Sequence, residues 1–294
     1  MKALVIGASG QVGTELMRLL SASPDTPALG TYASHPQPGL ERMDITDTAS
    51  VATMFDNYEP DTVFLCSAMP HVDACEKETA LTRRVNVEGA AKTAAACASR
   101  GARLVFVSTD YVFDGEKGNY TEEDCPRPIN VYGQSKLDAE SRVQALCRNT
   151  AVARTAMVYS YNPASPNFAM QLLNNSKKGV KMRVAEDMYA NPTYAPDLAV
   201  MLLKLALSGQ TGIFHAAGSQ RVSRLEFALT ACTVLGIKKS ILEPTNFAQL
   251  KTKASRPLDS SLNISKLHAA LGHKPLGVKA GLTKFKKAMA EAQE

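Results

Sequence analysis

The chain has 294 residues, 45% of them hydrophobic and 21% charged, with a formal net charge of +5. This composition excludes a disordered or fibrous chain and is enough for one large α/β domain, or a main domain with a smaller partner. The charge is mild and spread out, so it argues against a nucleic acid polymer as partner but is compatible with an anionic substrate. In chain order, KALVIG (2–7) is a short apolar run closed by glycine, as a buried parallel strand should be. Val12, Leu16, Leu19 and Leu20 then recur at helical spacing. ALGTY (28–32) reads as a second strand, 47–58 as a helix with Asp47 at its N-cap, and 61–68 as a third strand. Residues 78–101 read as one long helix ended by Gly101. A fourth strand at 102–109, a helix at 132–148 and a fifth strand at 151–159 follow.

This regular alternation predicts an α/β fold: a doubly wound, Rossmann-like parallel sheet covered by helices on both faces. After Tyr159 the rhythm loosens. A loop at 160–167 precedes helices at 167–179 and 198–207, a strand at 212–218, and helices around 223–235 and 278–290. The expected organisation is a dinucleotide-binding domain over 1–159, to which segments near 190–218 return, and a smaller C-terminal substrate-binding lobe over 160–294. No apolar run approaches a membrane span. The first residues enter a strand at once, leaving no room for a cleavable leader. Six scattered cysteines form no C-x-x-C pair and read as reduced thiols of a cytoplasmic protein.

GASGQVG sets Gly7, Gly10 and Gly13 between the first strand and the first helix. Gly7 permits a tight turn, Gly10 lets the backbone approach a pyrophosphate at the helix N-terminus, and Gly13 allows close helix–sheet packing. Ser9, Gln11 and Val12 complete this cradle. The plain alternative is a tight strand–helix turn with no ligand. The second strand ends in Thr31-Tyr32-Ala33-Ser34-His35, with neither an acid nor an arginine. Without an acid, a ribose 2′-phosphate is tolerated, and Ser34 or His35 could hydrogen-bond it, so the reading leans to NADPH over NADH with dual use open. Tyr32, Asp44 and Ile45 lie along the expected adenosine end, Asp44 being otherwise a turn residue before a helix.

VSTDYVFDG closes the fourth strand and brings Ser108 and Thr109 to the sheet edge where ligands of open α/β sheets bind. Tyr132 and Lys136 stand four residues apart, on one face of a helix. Alone, such a pair is as well explained by a tyrosine packed on a lysine stem. Together with a strand-end hydroxyl, it makes a reductase site.

These residues resemble the extended short-chain dehydrogenase/reductase family, in the branch of the dTDP-4-dehydrorhamnose reductases. The likeness rests on GASGQVG, DITD, VDACE (72–76), VNVEG (85–89), STDYVFDG, YTEEDCPRPINVYGQSKLDAE (120–140), NPTYAPDLA (191–199) and RPLDSSLNISKL (256–267). The resemblance implies NAD(P)H-dependent reduction of the 4-keto group of a nucleotide-linked deoxysugar. Tyr132 would donate a proton to the developing alkoxide. Lys136 would hold the nicotinamide ribose and lower the phenol from a pKa near 10 by roughly 1–3. Thr109 would hold the carbonyl oxygen, with Ser108 as the alternative. Asn86 would support the lysine, and Cys66, Ser67 and Ala68 would border the cofactor.

The chain also departs from its relatives. Sugar-nucleotide dehydratases carry Thr-Asp-Glu where this chain has Thr109-Asp110-Tyr111, so loss of water is not expected; Asp110 touches substrate or merely ends the strand. Met157 stands where the reductase branch carries a tryptophan, and Met69 and His71 would line the pocket differently. Arg256 could pair with a diphosphate, or with a surface acid. The resemblance admits Mg²⁺ and a homodimer, and no metal-ligand cluster in the sequence demands the former. Two further readings stay open: an NADP-binding regulatory subunit of a methionine adenosyltransferase-like partner, as the β subunit of that enzyme belongs to the same branch, and a reductase of another carbonyl substrate.

Overall fold

Side chains alternate along a strand, so a strand buried on both faces needs apolar residues at every position. In β1 (Ala3–Ile6), Ala3 and Val5 pack into one helical layer and Leu4 and Ile6 into the other. The computed structural model describes residues 1–23 and 25–292. After β1 come α1 (Gln11–Ser21), β2 (Ala28–Tyr32), β3 (Leu40–Arg42), α2 (Thr48–Tyr58), β4 (Thr62–Leu65), α3 (Val72–Lys77), α4 (Thr79–Thr82), α5 (Ala90–Ser99), β5 (Arg103–Thr109), α6 (Val131–Leu146) and β6 (Thr150–Thr155). The remainder holds β7 (Val158–Tyr159), α7 (Phe168–Lys178), β8 (Met182–Ala185), β9 (Tyr189–Ala190), β10 (Thr193–Tyr194), α8 (Ala195–Ser208) and β11 (Gly212–His215). It closes with β12 (Val222–Ser223), α9 (Arg224–Leu235), β13 (Leu242–Thr245), α10 (Ser265–Leu271) and α11 (Val278–Glu291).

Seven strands form one parallel sheet in the order β11-β6-β5-β4-β1-β2-β3. The winding direction reverses between β1 and β4, which opens a crevice at their carboxyl ends. On one face α2, α5 and α6 bury Phe55, Cys97 and Val143 against Leu4, Leu65, Phe106 and Val152. On the other, α1 and α8 bury Leu16, Leu20, Leu198 and Leu202 against Val5, Phe64, Val105 and Phe214. A separate cluster of Tyr159, Leu173, Phe227, Leu282 and Phe285 joins β7, α7, α9 and α11 beside the sheet. β11 lies outside this cluster and extends the main sheet next to β6. Among the described residues, no helix is long and apolar enough to cross a membrane.

Three departures from the sequence expectation have physical causes. The expected helix over 78–101 is broken, because Arg83–Gly89 winds as a π-helix between α4 and α5. A π-turn inserts a residue without unwinding the helix and recurs at functional sites; here it carries the buried Asn86. The expected strand over 151–159 breaks at Met157, whose φ of 43° is left-handed. Beyond it β7 pairs with β10 rather than with the sheet. β3 was not foreseen, since Leu40-Glu41-Arg42 is short, mostly exposed and has no apolar pattern.

One polar contact crosses the core. Arg154 on β6 forks onto Glu140 on α6 through Nε at 3.0 Å and Nη2 at 2.7 Å, both residues being fully buried. The Ser108 hydroxyl donates to the same carboxylate. Removing one member of a buried pair leaves an uncompensated charge, so Glu140→Leu is expected to cost about 3–5 kcal/mol in urea unfolding. Glu140→Leu with Arg154→Met should recover most of that loss; a double variant no more stable than the single one would refute this account.

Candidate functional site

The crevice is shaped by close backbone approach. Gly7 has φ of 85°, and a Cβ there would lie 2.8 Å from the Ser67 nitrogen. A Cβ on Gly13 would lie 2.3 Å from the Gly7 carbonyl oxygen, so α1 starts directly against the turn. Gly10 is the N-cap of α1, with no side-chain cap and no acid in the first turn. The first-turn amides therefore remain available to an anion. The Ser9 carbonyl accepts a long contact from Gln37 at 3.5 Å. Gln11 reaches across to Ser160 at 3.3 Å and Ser165 at 3.2 Å, fastening the glycine turn to the loop after β7, while Val12 packs into the α1–α8 layer. Cys66, Ser67 and Ala68 are half-buried at the end of β4, and burial pushes the Cys66 thiol up to about 12, so it stays protonated. This geometry fits a dinucleotide.

At the adenosine end, Ser34 and His35 are exposed and hydrogen-bonded to each other at 3.0 Å. Tyr32 is paired in register with Arg42 of β3. An arginine therefore does stand beside the end of β2, delivered by a strand the sequence pattern hides. Asp44 is exposed and accepts the Thr46 amide at 2.8 Å; that bond, with Arg84 and Arg42, holds its carboxyl below the usual range. Ile45 is buried against Gly89.

The second half of the site is a cavity of about 140 Å³ at the carboxyl end of β5. Thr109, Asp110, Tyr132 and Met157 line it together with residues the sequence reading missed, among them Tyr111, Tyr189, Arg224 and Ser260. Ser260 lay within a quoted motif, but its role depends on a contact 150 residues away. Asn130 caps α6 by accepting the Gly133 amide at 2.7 Å, and this sets Tyr132 at the helix start. The Thr109 hydroxyl donates to Asp110 at 3.0 Å and accepts the Tyr111 amide at 3.2 Å. Ser260 donates to the other oxygen of the same carboxylate. Burial pushes Asp110 up to about 6, opposed by Ser260, Thr109 and Arg224.

The expected effect of Lys136 on Tyr132 needs correction. Burial raises the phenol above its ordinary value; the neighbouring Thr109 hydroxyl opposes this, and Asp110 adds to the rise. Asp110, Cys75 and Tyr111, the charged or titratable groups acting most on the phenol, include no cation. The Lys136 ammonium instead donates to the Val107 carbonyl at 2.8 Å and lies 4.0 Å over the Phe106 ring. Burial lowers it to about 8, opposed first by Glu140 and then by Cys66. Asn86 does not bond the lysine either. It accepts the Met69 amide at 2.7 Å and donates to the Met69 carbonyl and to Ser135, so it pins the loop after β4 to α6.

Met69 faces that inner network, and His71 is exposed at the start of α3; neither lines the cavity. Arg256 pairs with Asp73 at 3.1 Å. The cation that does line the cavity is Arg224, at the start of α9.

A family model described as the RmlD substrate binding domain matches residues 1–291. The probable low-salt glycan biosynthesis reductase Agl14 of Haloferax volcanii is 32% identical, over 92% of this chain and 93% of its own. The dTDP-4-dehydrorhamnose reductase of Bacillus anthracis, solved in complex with NADP, is 29% identical with a TM-score of 0.89, covering 98% of this chain and 100% of that one. Methionine adenosyltransferase 2 subunit beta of Rattus norvegicus is 27% identical, over 97% of this chain and 88% of its own.

Gly7→Ala forces a side chain into a left-handed turn against Ser67, at a strain of about 1–3 kcal/mol. NADPH titrated calorimetrically should bind this variant roughly tenfold or more weakly; an unchanged Kd would show that the turn does not form the cradle.

Proposed function

The chain belongs to the RmlD substrate binding domain family, and from that premise we propose that it is an NAD(P)H-dependent sugar-nucleotide reductase acting on the 4-keto group of a nucleotide-linked deoxysugar, specifically as a dTDP-4-dehydrorhamnose reductase. One observation carries this reading: the Tyr132 phenol and the Thr109 hydroxyl meet in a single cavity at the carboxyl end of β5. In the sheet, β5 neighbours β4, and β4 neighbours the β1 strand that leads into the glycine turn.

A bound reduced nicotinamide supplies hydride to the carbonyl carbon. The chain must then bring a proton to the carbonyl oxygen and hold the charge that develops there. Tyr132 is the proton donor. Burial raises its pKa, which keeps the phenol protonated at neutral pH, ready to donate. A phenol this weakly acidic needs help as it loses the proton, and Thr109 is the neighbour able to give it. Lys136 would hold the ribose; its proximity to Cys66 at the end of β4 supports that role. Arg224, at the cavity wall, supplies a cation for the substrate's diphosphate, a role for which Arg256 is less suited while it pairs with Asp73.

NADPH is the preferred cofactor in this reading, because Arg42 adds a cation beside Tyr32 and β2 ends without an acid. The related structure with NADP supports the same choice.

Two measurements test the proposal. Incubation with NADPH and dTDP-4-keto-6-deoxy-L-mannose should consume NADPH, and Tyr132→Phe should lower kcat by about 10²–10⁴, the usual size of a general-acid contribution. Tight NADPH binding with no turnover in the unmodified chain would instead favour a regulatory role like that of the methionine adenosyltransferase β subunit. Arg42→Ala should weaken NADPH about tenfold, the size of one charge-assisted contact, and leave NADH little changed; equal losses for both cofactors would remove Arg42 from the 2′-phosphate site.

A further inference from the structure

Two stretches far apart in the chain share the lining of the cavity. Tyr132 belongs to the first turn of α6, and Pro257 and Ser260 belong to the segment 254–260. The Asn130 side chain bonds both. It is buried, with 7% exposed. Its Oδ1 accepts the Gly133 amide at 2.7 Å, which caps α6. Its Nδ2 donates to the Ser255 carbonyl at 2.9 Å. A backbone amide can only donate and a backbone carbonyl can only accept, so the partners themselves fix which end of the side chain is which.

Both sides of this joint are held elsewhere as well. The Val131 amide donates to Glu76 on α3 at 2.8 Å. A Cβ on Gly133 would lie 2.1 Å from the Tyr111 carbonyl oxygen, so the start of α6 rests directly on the backbone that follows β5. On the other side, Asp73 of α3 accepts the Ala254 amide at 2.9 Å and pairs with Arg256 at 3.1 Å. Further along, the Asp259 amide donates to the Gly115 carbonyl and the Ser260 amide to the Tyr189 carbonyl, each at 3.1 Å.

From this geometry we infer that Asn130 is a positioning residue with two tasks: it caps the helix that carries the Tyr132 phenol, and it tethers the 254–260 segment to that helix. One side chain thereby sets the spacing between the proton donor and the wall made by Pro257 and Ser260, and with it the seat of the sugar. The joint itself stands on its hydrogen bonds; its meaning for catalysis rests on the reductase reading. Residue type is part of the inference. Asparagine, aspartate and serine are comparable N-caps. Aspartate has no proton to give to Ser255 when ionised, and serine has one short hydroxyl for both tasks. Asparagine carries an acceptor and a donor on separate atoms.

Substitution therefore separates the two tasks. Asn130→Ser and Asn130→Asp keep the cap and lose the tether, while Asn130→Ala loses both. Two readouts on the full chain test this. The first needs no substrate. Lys253 is exposed, and the peptide bond after it leads into Ala254, whose amide is held by Asp73. Under native conditions trypsin should cut after Lys253 about fivefold faster in Asn130→Ser and Asn130→Asp, the weight of one hydrogen bond in a local opening. The urea midpoint should fall further in Asn130→Ala than in either capping variant. The second readout is turnover of the 4-keto sugar with NADPH. In Asn130→Ser, KM for the sugar should rise about fivefold with a smaller change in kcat and an unmoved Kd for NADPH; Asn130→Ala should lose kcat as well. Cleavage after Lys253 at the unmodified rate in both capping variants, or an unchanged KM in Asn130→Ser, leaves Asn130 a helix cap alone and overturns the inference. Should one capping variant fail to fold, cleavage of the other decides. Absence of turnover in the unmodified chain would instead sink the reductase reading, and the proteolysis would still decide whether Asn130 tethers the segment.

Discussion

The Glu140 carboxylate is the charge around which the site is assembled. It sits in an otherwise apolar layer, where an isolated ion would be strongly disfavoured. Arg154 forks onto it from β6, Ser108 donates to it from β5, and the Lys136 ammonium is coupled to it from one turn earlier on the same helix. These contacts fix the rotation and height of α6 against two neighbouring strands. Tyr132 is one further turn toward the helix start, so its position relative to Thr109 follows from the same anchor. The buried Glu140 carboxylate also makes it less costly to keep the buried lysine charged.

Burial has opposite consequences for the two members of the Tyr–Lys pair. It holds the phenol protonated, which suits a donor, and it brings the ammonium down to about 8, which leaves it mostly charged at neutral pH. The ammonium is committed to the Val107 carbonyl and the Phe106 ring. At the end of β5, the Thr109 hydroxyl opposes the rise of the phenol and the Asp110 carboxyl adds to it. The cavity wall is completed by residues from the C-terminal third of the chain, Arg224 and Ser260.

Some of this was legible in the residues alone. Apolar runs ending in glycine, and helical spacing between them, were sufficient for the parallel sheet, because a strand buried on both faces and an amphipathic helix leave distinct local patterns. The glycine turn was legible for the same reason: the requirement for a residue without a side chain is strict at Gly7 and Gly13. The Tyr132–Lys136 spacing was legible because a helix imposes it. Other features left no local trace. The π-turn around Asn86 arises from a side chain that bonds Met69 and Ser135, each distant in sequence. The break at Met157 interrupts a run that reads as continuous strand. Arg42 could be placed beside Tyr32 only once β3 had paired with β2.

The sequence by itself therefore determined the sheet, the position of the dinucleotide crevice and which residue types could do reductase chemistry, since all of these follow from short-range periodicity and from single-residue steric needs. The tertiary structure alone decided which cation faces the cavity, where the lysine ammonium points and which residues surround the phenol. Those outcomes depend on burial and on contacts between segments far apart in the chain, and neither quantity exists until the chain has folded.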